Sequence, residues 1–170
     1  MTVPKYYGPE PAIIGSYKIG LERMTDIKDE VREIHKAHWD ETEIVYITRP
    51  LDVDYDRFVE LEDAAMFVIF TVRDSAQENK LVGNLMYFLV TSIHIKGMLE
   101  ATEDAFFLAK EARKGVLAIR FLEFAEKALI AIGVKVIGMS DKAPCGGKSL
   151  EKLMGHMGYR PVARYYMKEV

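Results

Sequence analysis

A change of hydrophobic period at Val116 constrains this chain more than any other feature. Before it, "MFVIFTVRD" (66–74) and "LVGNLMYFLVTSIHI" (81–95) are runs dense in β-branched and aromatic residues. The polar stretch "SAQENK" separates them, which predicts an antiparallel hairpin. A loop containing Gly97 leads to "EDAFFLAK" (103–110), read as a further strand. After Val116, Leu117, Phe121, Phe124, Ala125, Ala128 and Ile132 recur on one helical stripe, with Arg120, Glu123 and Lys127 opposite. Gly133 is a natural helix stop, and "VKVIGMS" (134–140) reads as the next strand. A hairpin joined to a strand–helix–strand crossover demands a sheet with both antiparallel and parallel neighbours.

The flanking segments extend this pattern. Prolines at 4, 9 and 11 mark 1–11 as an extended arm. "AIIGSYKIGLERM" (12–24) reads as a first strand. Thr25 is placed to cap a helix over 26–43, whose apolar positions Ile27, Val31, Ile34 and Ala37 keep helical spacing. A second helix is predicted over 52–65. A short helix over 147–158 and a final strand over 159–170 close the chain. The predicted order is β-α-α-β-β-β-α-β-α-β, an α+β fold around a mixed, mostly antiparallel sheet flanked by helices.

Composition narrows the function classes. A chain of 170 residues is expected to form one domain, 1–170, and to bury roughly 70% of its unfolded surface. A net charge of −3 offers no reason to expect nucleic acid or an anionic membrane as partner. No apolar run approaches the roughly 20 residues that span a bilayer. "MTVPKYYGPEPAIIG" lacks the basic and apolar regions of a signal peptide. With a single cysteine, Cys145, these features favour a reducing, cytoplasmic setting.

The stretch "EARKGVLAIRF" (111–121) lies where the period changes. A strand turning directly into a helix leaves the first helical N–H groups without partners, at the positive end of the helix dipole. Such a terminus can hold an anion. Arg113 adds a planar fork of donors suited to phosphate, and Gly115 allows close backbone approach. From the residues alone, a solvated basic turn explains the stretch equally well.

Arg113-Lys114-Gly115-Val116-Leu117-Ala118 resembles the acyl-CoA motif Arg/Gln-x-x-Gly-x-Gly/Ala of the GNAT (Gcn5-related) N-acetyltransferase superfamily. Arg113 and Ala118 match its ends. Val116 stands where an internal glycine is usual, and a glycine occurs one position earlier, at Gly115. This loosened form is similar to GNAT-like proteins of bacteriophages, for which a host-cytoplasmic location would follow. The resemblance extends through "FFLAKEAR", "FLEFAEKALIAIGVKVIGM" and "LEKLMGHMGYRPVARYYMK", from about Leu81 to Lys168. It implies acetyl-CoA as co-substrate, no metal, and direct attack of an amine on the thioester. It also implies that the pyrophosphate rests on the N–H groups of Lys114, Gly115, Val116, Leu117 and Ala118, near Arg113. The pantetheine arm would pair with backbone around Leu108, Ala109 and Lys110.

Acetyl transfer needs a neutral amine, and a free alkylamine has a pKa of about 10, so a general base is useful. Glu103 and Asp104, at the start of the predicted central strand, are candidates, and so is His94 at the end of the preceding one. Each is otherwise a solvated terminus. The resemblance implies a tyrosine acid in the closing helix, but Met154 stands there; Tyr165, or Tyr166 beside it, is the substitute. His38, Trp39 and Glu41 on the first helix are candidates for an acceptor pocket. His38 and Glu41 share a helix face, and with His35 they could be read as a metal cluster, yet a helical solvent face explains them better. "PCGGKS" (144–149) resembles the end of a P-loop, but Lys142 occupies the position that needs the first glycine. The expected acceptor is a small-molecule or protein amine, and a homodimer is left open. A non-catalytic phage or accessory protein with the same fold is the rival reading.

Overall fold

In the computed structural model the described residues are 8–42, 50–141 and 147–163. They form a single six-stranded sheet in the order β1-β2-β3-β4-β5-β6. The strands are β1 (Ala12–Ile14), β2 (Tyr17–Glu22), β3 (Phe67–Asp74), β4 (Lys80–Thr91), β5 (Leu99–Leu108) and β6 (Val134–Gly138). The helices are α1 (Met24–Thr42), α2 (Tyr55–Asp63), α3 (Leu117–Ala131) and α4 (Gly147–His156). Neighbours from β1 to β5 are antiparallel, and β5 pairs with β6 in parallel. The expected mixed, mostly antiparallel α+β architecture is therefore present.

Its two faces are covered by different helices. Period-2 alternation along β3 and β4 sends Phe70, Leu85 and Tyr87 to one side, against Phe121, Leu122 and Leu129 of α3. Ile69 and Met86 go to the other side, against Ile27, Val31 and Ile34 of α1. These apolar contacts, rather than helix propensity, fix the helices.

Several boundaries differ from the sequence reading. The predicted first strand is a hairpin: Gly15 takes the left-handed conformation (φ +61°) and turns β1 back onto β2. Helix α1 begins at Met24, so Thr25 lies inside its first turn and is not the cap. Glu62 of α2 takes that role, its Oε1 accepting from the Met24 N–H at 3.0 Å. Strand β5 begins at Leu99, four residues before the predicted start. Residues 159–163 carry no strand, and the rest of the predicted last strand lies outside the described residues, as do Tyr165, Tyr166 and Cys145.

Candidate functional site

Strand β5 organises the site because its partner on one side leaves early. β5 pairs with β6 only from Leu99 to Thr102. Among the described residues, no strand pairs with that edge from Glu103 to Leu108. The opposite edge stays paired with β4 throughout, from Thr91↔Leu99 to Gly83↔Leu108. The sheet therefore forks at Glu103 and leaves a free backbone edge roughly 15 Å long.

A bulge marks the fork. Met86 faces Ala105 and Tyr87 faces Glu103, so Asp104 is the extra residue. Glu103 shares the α3 face with Ala101, and its Oε2 accepts from the N–H of Ser140 at 3.0 Å and from its Oγ at 2.6 Å. Ser140 lies just beyond β6, so this contact spans the mouth of the fork. Burial pushes the Glu103 carboxyl up, against the lowering effect of these two bonds. Burial raises Asp104 as well, although the residue remains exposed at its surface. Asp141, next to Ser140, is raised by burial and by the nearby Glu151 carboxylate.

Two phenols lie behind the fork. Tyr87, fully buried, donates to Met139 Sδ at 2.9 Å. Tyr159 donates to Glu126 Oε1 of α3 at 2.8 Å. Burial is the main cause raising both phenols, so both stay protonated donors at neutral pH. Neither Ser140 nor Tyr159 stands out in the sequence as a candidate site residue. Tyr159 carries one local signal, its place directly after Gly158; Ser140 has only its position after a strand.

At its other end, β5 leads into the basic turn. The Ala109 N–H still donates to Val82 O at 2.7 Å, and a short 3-10 turn follows over Lys110–Ala112. Gly115 takes φ +63° with open space around it. Val116, at φ −100°, is the N-cap residue of α3 and makes no side-chain capping bond. The first turn of α3 contains no acidic residue. The departure at Val116 thus has a physical explanation. Gly115 takes up the left-handed turn, and Val116 adopts an ordinary φ with its side chain 52% exposed.

Arg113 does not face that helix terminus. Its Nε donates to Leu108 O at 2.7 Å. Its two terminal nitrogens form a bidentate pair with Glu41 at 2.5 and 2.8 Å, and its guanidinium lies 5.2 Å from the Phe107 ring centre. Lys114, exposed, is left beside the helix terminus.

The remaining candidates separate. His38 lies against Phe107, with ring centres 5.4 Å apart, and Glu41 is bound to Arg113. Both therefore sit at the Leu108 end of β5 rather than at the fork. Trp39 is half-buried on α1. His94 is exposed in the 92–98 turn, and no hydrogen bond or ring contact joins it to Glu103. A cleft of about 450 Å³ runs between α1 and the ends of β4 and β5, with Ile34, Asp40, Glu41, Leu81, Phe107 and Lys110 on its walls. Glu103 does not line it. Among the described residues no group of His, Cys, Asp and Glu converges as a metal site, and no helix is long and apolar enough to cross a membrane.

No protein-family model matches the chain, and no curated protein matches it. Solved structures do. An aminoglycoside acetyltransferase from an uncultured soil metagenomic sample superposes with a TM-score of 0.69 at 17% identity, over 91% of this chain and 99% of that one. A second such enzyme, crystallised with trehalose, gives 0.68 at 13% identity, over 94% and 100%. Glucosamine-6-phosphate N-acetyltransferase from Arabidopsis thaliana gives 0.64 at 14% identity, over 90% and 97%. At these identities the likeness shows the fold: the chain has the GNAT architecture over nearly its whole length.

Proposed function

We propose that this protein transfers an acetyl group from acetyl-CoA to an amine by direct attack within a ternary complex. One observation carries the reading. The free edge of β5 runs from the half-buried Glu103 carboxylate toward the uncapped N-terminus of α3. An extended acyl-pantetheine arm fits such an edge as an added strand. The helix terminus and Gly115 turn suit a pyrophosphate, since unpaired N–H groups and the helix dipole both favour an anion.

Acetyl-CoA supplies the activated thioester. The chain's own groups do the rest. Backbone amides of 114–118 orient the phosphate end. Free N–H groups of β5 beside the fork can polarise the thioester carbonyl. Glu103 takes a proton from the attacking amine, directly or through water, and its raised pKa brings it closer to working pH. The tetrahedral adduct then expels the CoA thiolate, which takes up a proton. Glu103, Asp104 and Asp141 around the fork favour a cationic acceptor, a small-molecule or a protein amine. The solved structures it resembles include acetyltransferases for aminoglycosides and for glucosamine 6-phosphate, both amine acceptors. The rival non-catalytic phage or accessory role gains no support from these likenesses.

Calorimetric titration with acetyl-CoA tests the reading, followed by thiol release across a panel of polyamines, aminosugars and peptide N-termini. Micromolar-range binding and acceptor-dependent thiol release are expected. Absence of binding at millimolar acetyl-CoA would remove it.

A further inference from the structure

Glu41 occupies the last turn of α1, which holds no basic residue. A carboxylate there faces the negative end of the helix dipole and is locally unfavourable. Its compensation comes from outside the helix: both oxygens grip the two terminal nitrogens of Arg113. That fork is the same donor pair that would clasp two oxygens of a phosphate. Arg113 lies two residues before the left-handed Gly115 and close to the uncapped start of α3. Its side chain is parked away from that start, along the Leu108 carbonyl and the Phe107 ring.

We infer that Glu41 acts on the co-substrate site: its carboxylate holds the Arg113 fork as a stand-in for phosphate, and the phosphorylated half of acetyl-CoA must displace it. The inference rests on the acetyl-transfer reading and reassigns Glu41 from the acceptor pocket. The contact is breakable. The Arg113 and Glu41 side chains are 37% and 32% exposed, which makes the pair weak enough for a ligand to outcompete. Once displaced, Glu41 is not stranded, because Lys110 and His38 also lie close enough to favour its charge. Glu41 thus weakens affinity for the phosphate end while keeping Arg113 ordered beside it.

The test is a calorimetric cycle with acetyl-CoA on the full chain, comparing wild type, Glu41→Gln, Arg113→Gln and the double variant. Asp40→Asn serves as a control that removes a neighbouring charge without freeing Arg113. Glu41→Gln is expected to bind acetyl-CoA about three- to fivefold more tightly, the worth of a partly exposed ion pair. That gain should vanish in the Arg113→Gln background and should not appear in Asp40→Asn. Unchanged or weaker binding by Glu41→Gln overturns the inference, as does an equal gain in Asp40→Asn. If the wild type binds and only the gain is missing, the inference alone falls. If neither wild type nor Glu41→Gln binds, the acetyl-transfer reading falls with it.

Discussion

The two ends of the free β5 edge are built from different materials. At the fork, side chains carry the proposed chemistry: Glu103 is held by Ser140 and flanked by Asp104. At the exit, backbone carries the proposed anion binding, through the Gly115 turn and the uncapped N-terminus of α3. Side-chain sites are sensitive to residue identity, whereas backbone sites are sensitive only to conformation. Substitutions at the two ends should therefore fail in different ways. The largest effect belongs to the fork. Glu103→Gln should lower kcat by roughly 100-fold with little change in the KM for acetyl-CoA, because it removes a general base and no binding contact. Steady-state kinetics against any accepted amine checks this, and an unchanged kcat would take Glu103 out of the mechanism.

The raised Glu103 carboxyl gives that comparison a pH signature. A base works deprotonated, so the wild-type rate should climb with pH through a point above the usual carboxylate range and then level off. Glu103→Gln should lose that limb. Stability follows the sign of the same shift. A carboxyl whose folded pKa is raised contributes stability below its unfolded pKa and loses it as pH rises through the folded value. Glu103→Gln should therefore gain most in Tm, relative to wild type, at neutral pH and gain little in acid. A constant Tm difference across pH would show that Glu103 is not held in its raised state by burial.

The exit end depends on a close approach one strand away. A Cβ on Gly83 would come 2.4 Å from Leu108 Cδ2 and 3.0 Å from the Phe107 carbonyl oxygen. The Leu108 methyl is the severe contact, and because that side chain is buried in the core it has little room to move aside. Gly83→Ala should destabilise the fold by about 1–3 kcal/mol, the usual cost of overpacking. It should also weaken acetyl-CoA binding by displacing the end of β5, while the fork chemistry persists at saturating co-substrate. Denaturant unfolding with paired kinetics separates these effects, and a silent Gly83→Ala would mean that the exit end tolerates movement.

The difference between the two ends also explains how far the sequence could be read. Helix α3 was legible because its stripe from Leu117 to Ala128 is local and periodic, and the β3–β4 pair because "SAQENK" interrupts two β-prone runs. The β1–β2 hairpin was not, because one glycine in an apolar stretch does not show whether the chain turns. The start of β5 was hidden because Glu100 and Thr102 leave the small Ala101 as the one fully buried apolar residue before Ala105. At the site, residue types were legible and directions were not. Glu103 stood out as a carboxylate near a strand start, but its partner Ser140 is 37 positions away and meets it only through the β5–β6 pairing. Arg113 stood out as a cation beside a glycine, but its contact with Glu41 crosses 72 positions and depends on how α1 lies over the sheet. No local pattern encodes such a contact.

Within the exit end, Gly115 and Val116 make the distinction finer. Gly115 sits at φ +63°, where a residue with a branched Cβ is strained. Gly115→Val should distort the turn at a cost of about 1–2 kcal/mol and weaken acetyl-CoA binding roughly tenfold. Affinity measured by calorimetry decides it; unchanged affinity would show that the turn does not shape the anion site.

Val116→Gly should do least, although it restores the residue that the GNAT motif usually carries. A glycine is required where φ is positive or where another group approaches too closely for a Cβ. Neither applies to Val116, whose φ is −100° and whose side chain is 52% exposed. The amide it presents is the same with either residue. Val116 is the N-cap residue of α3, a position where glycine is favoured over valine, so the substitution should not weaken the helix. The variant should therefore bind acetyl-CoA within about twofold of wild type, a difference near the limit of titration. A tenfold gain would show instead that the valine side chain crowds the phosphate cradle, and the exit end would then have to be counted as a side-chain site after all.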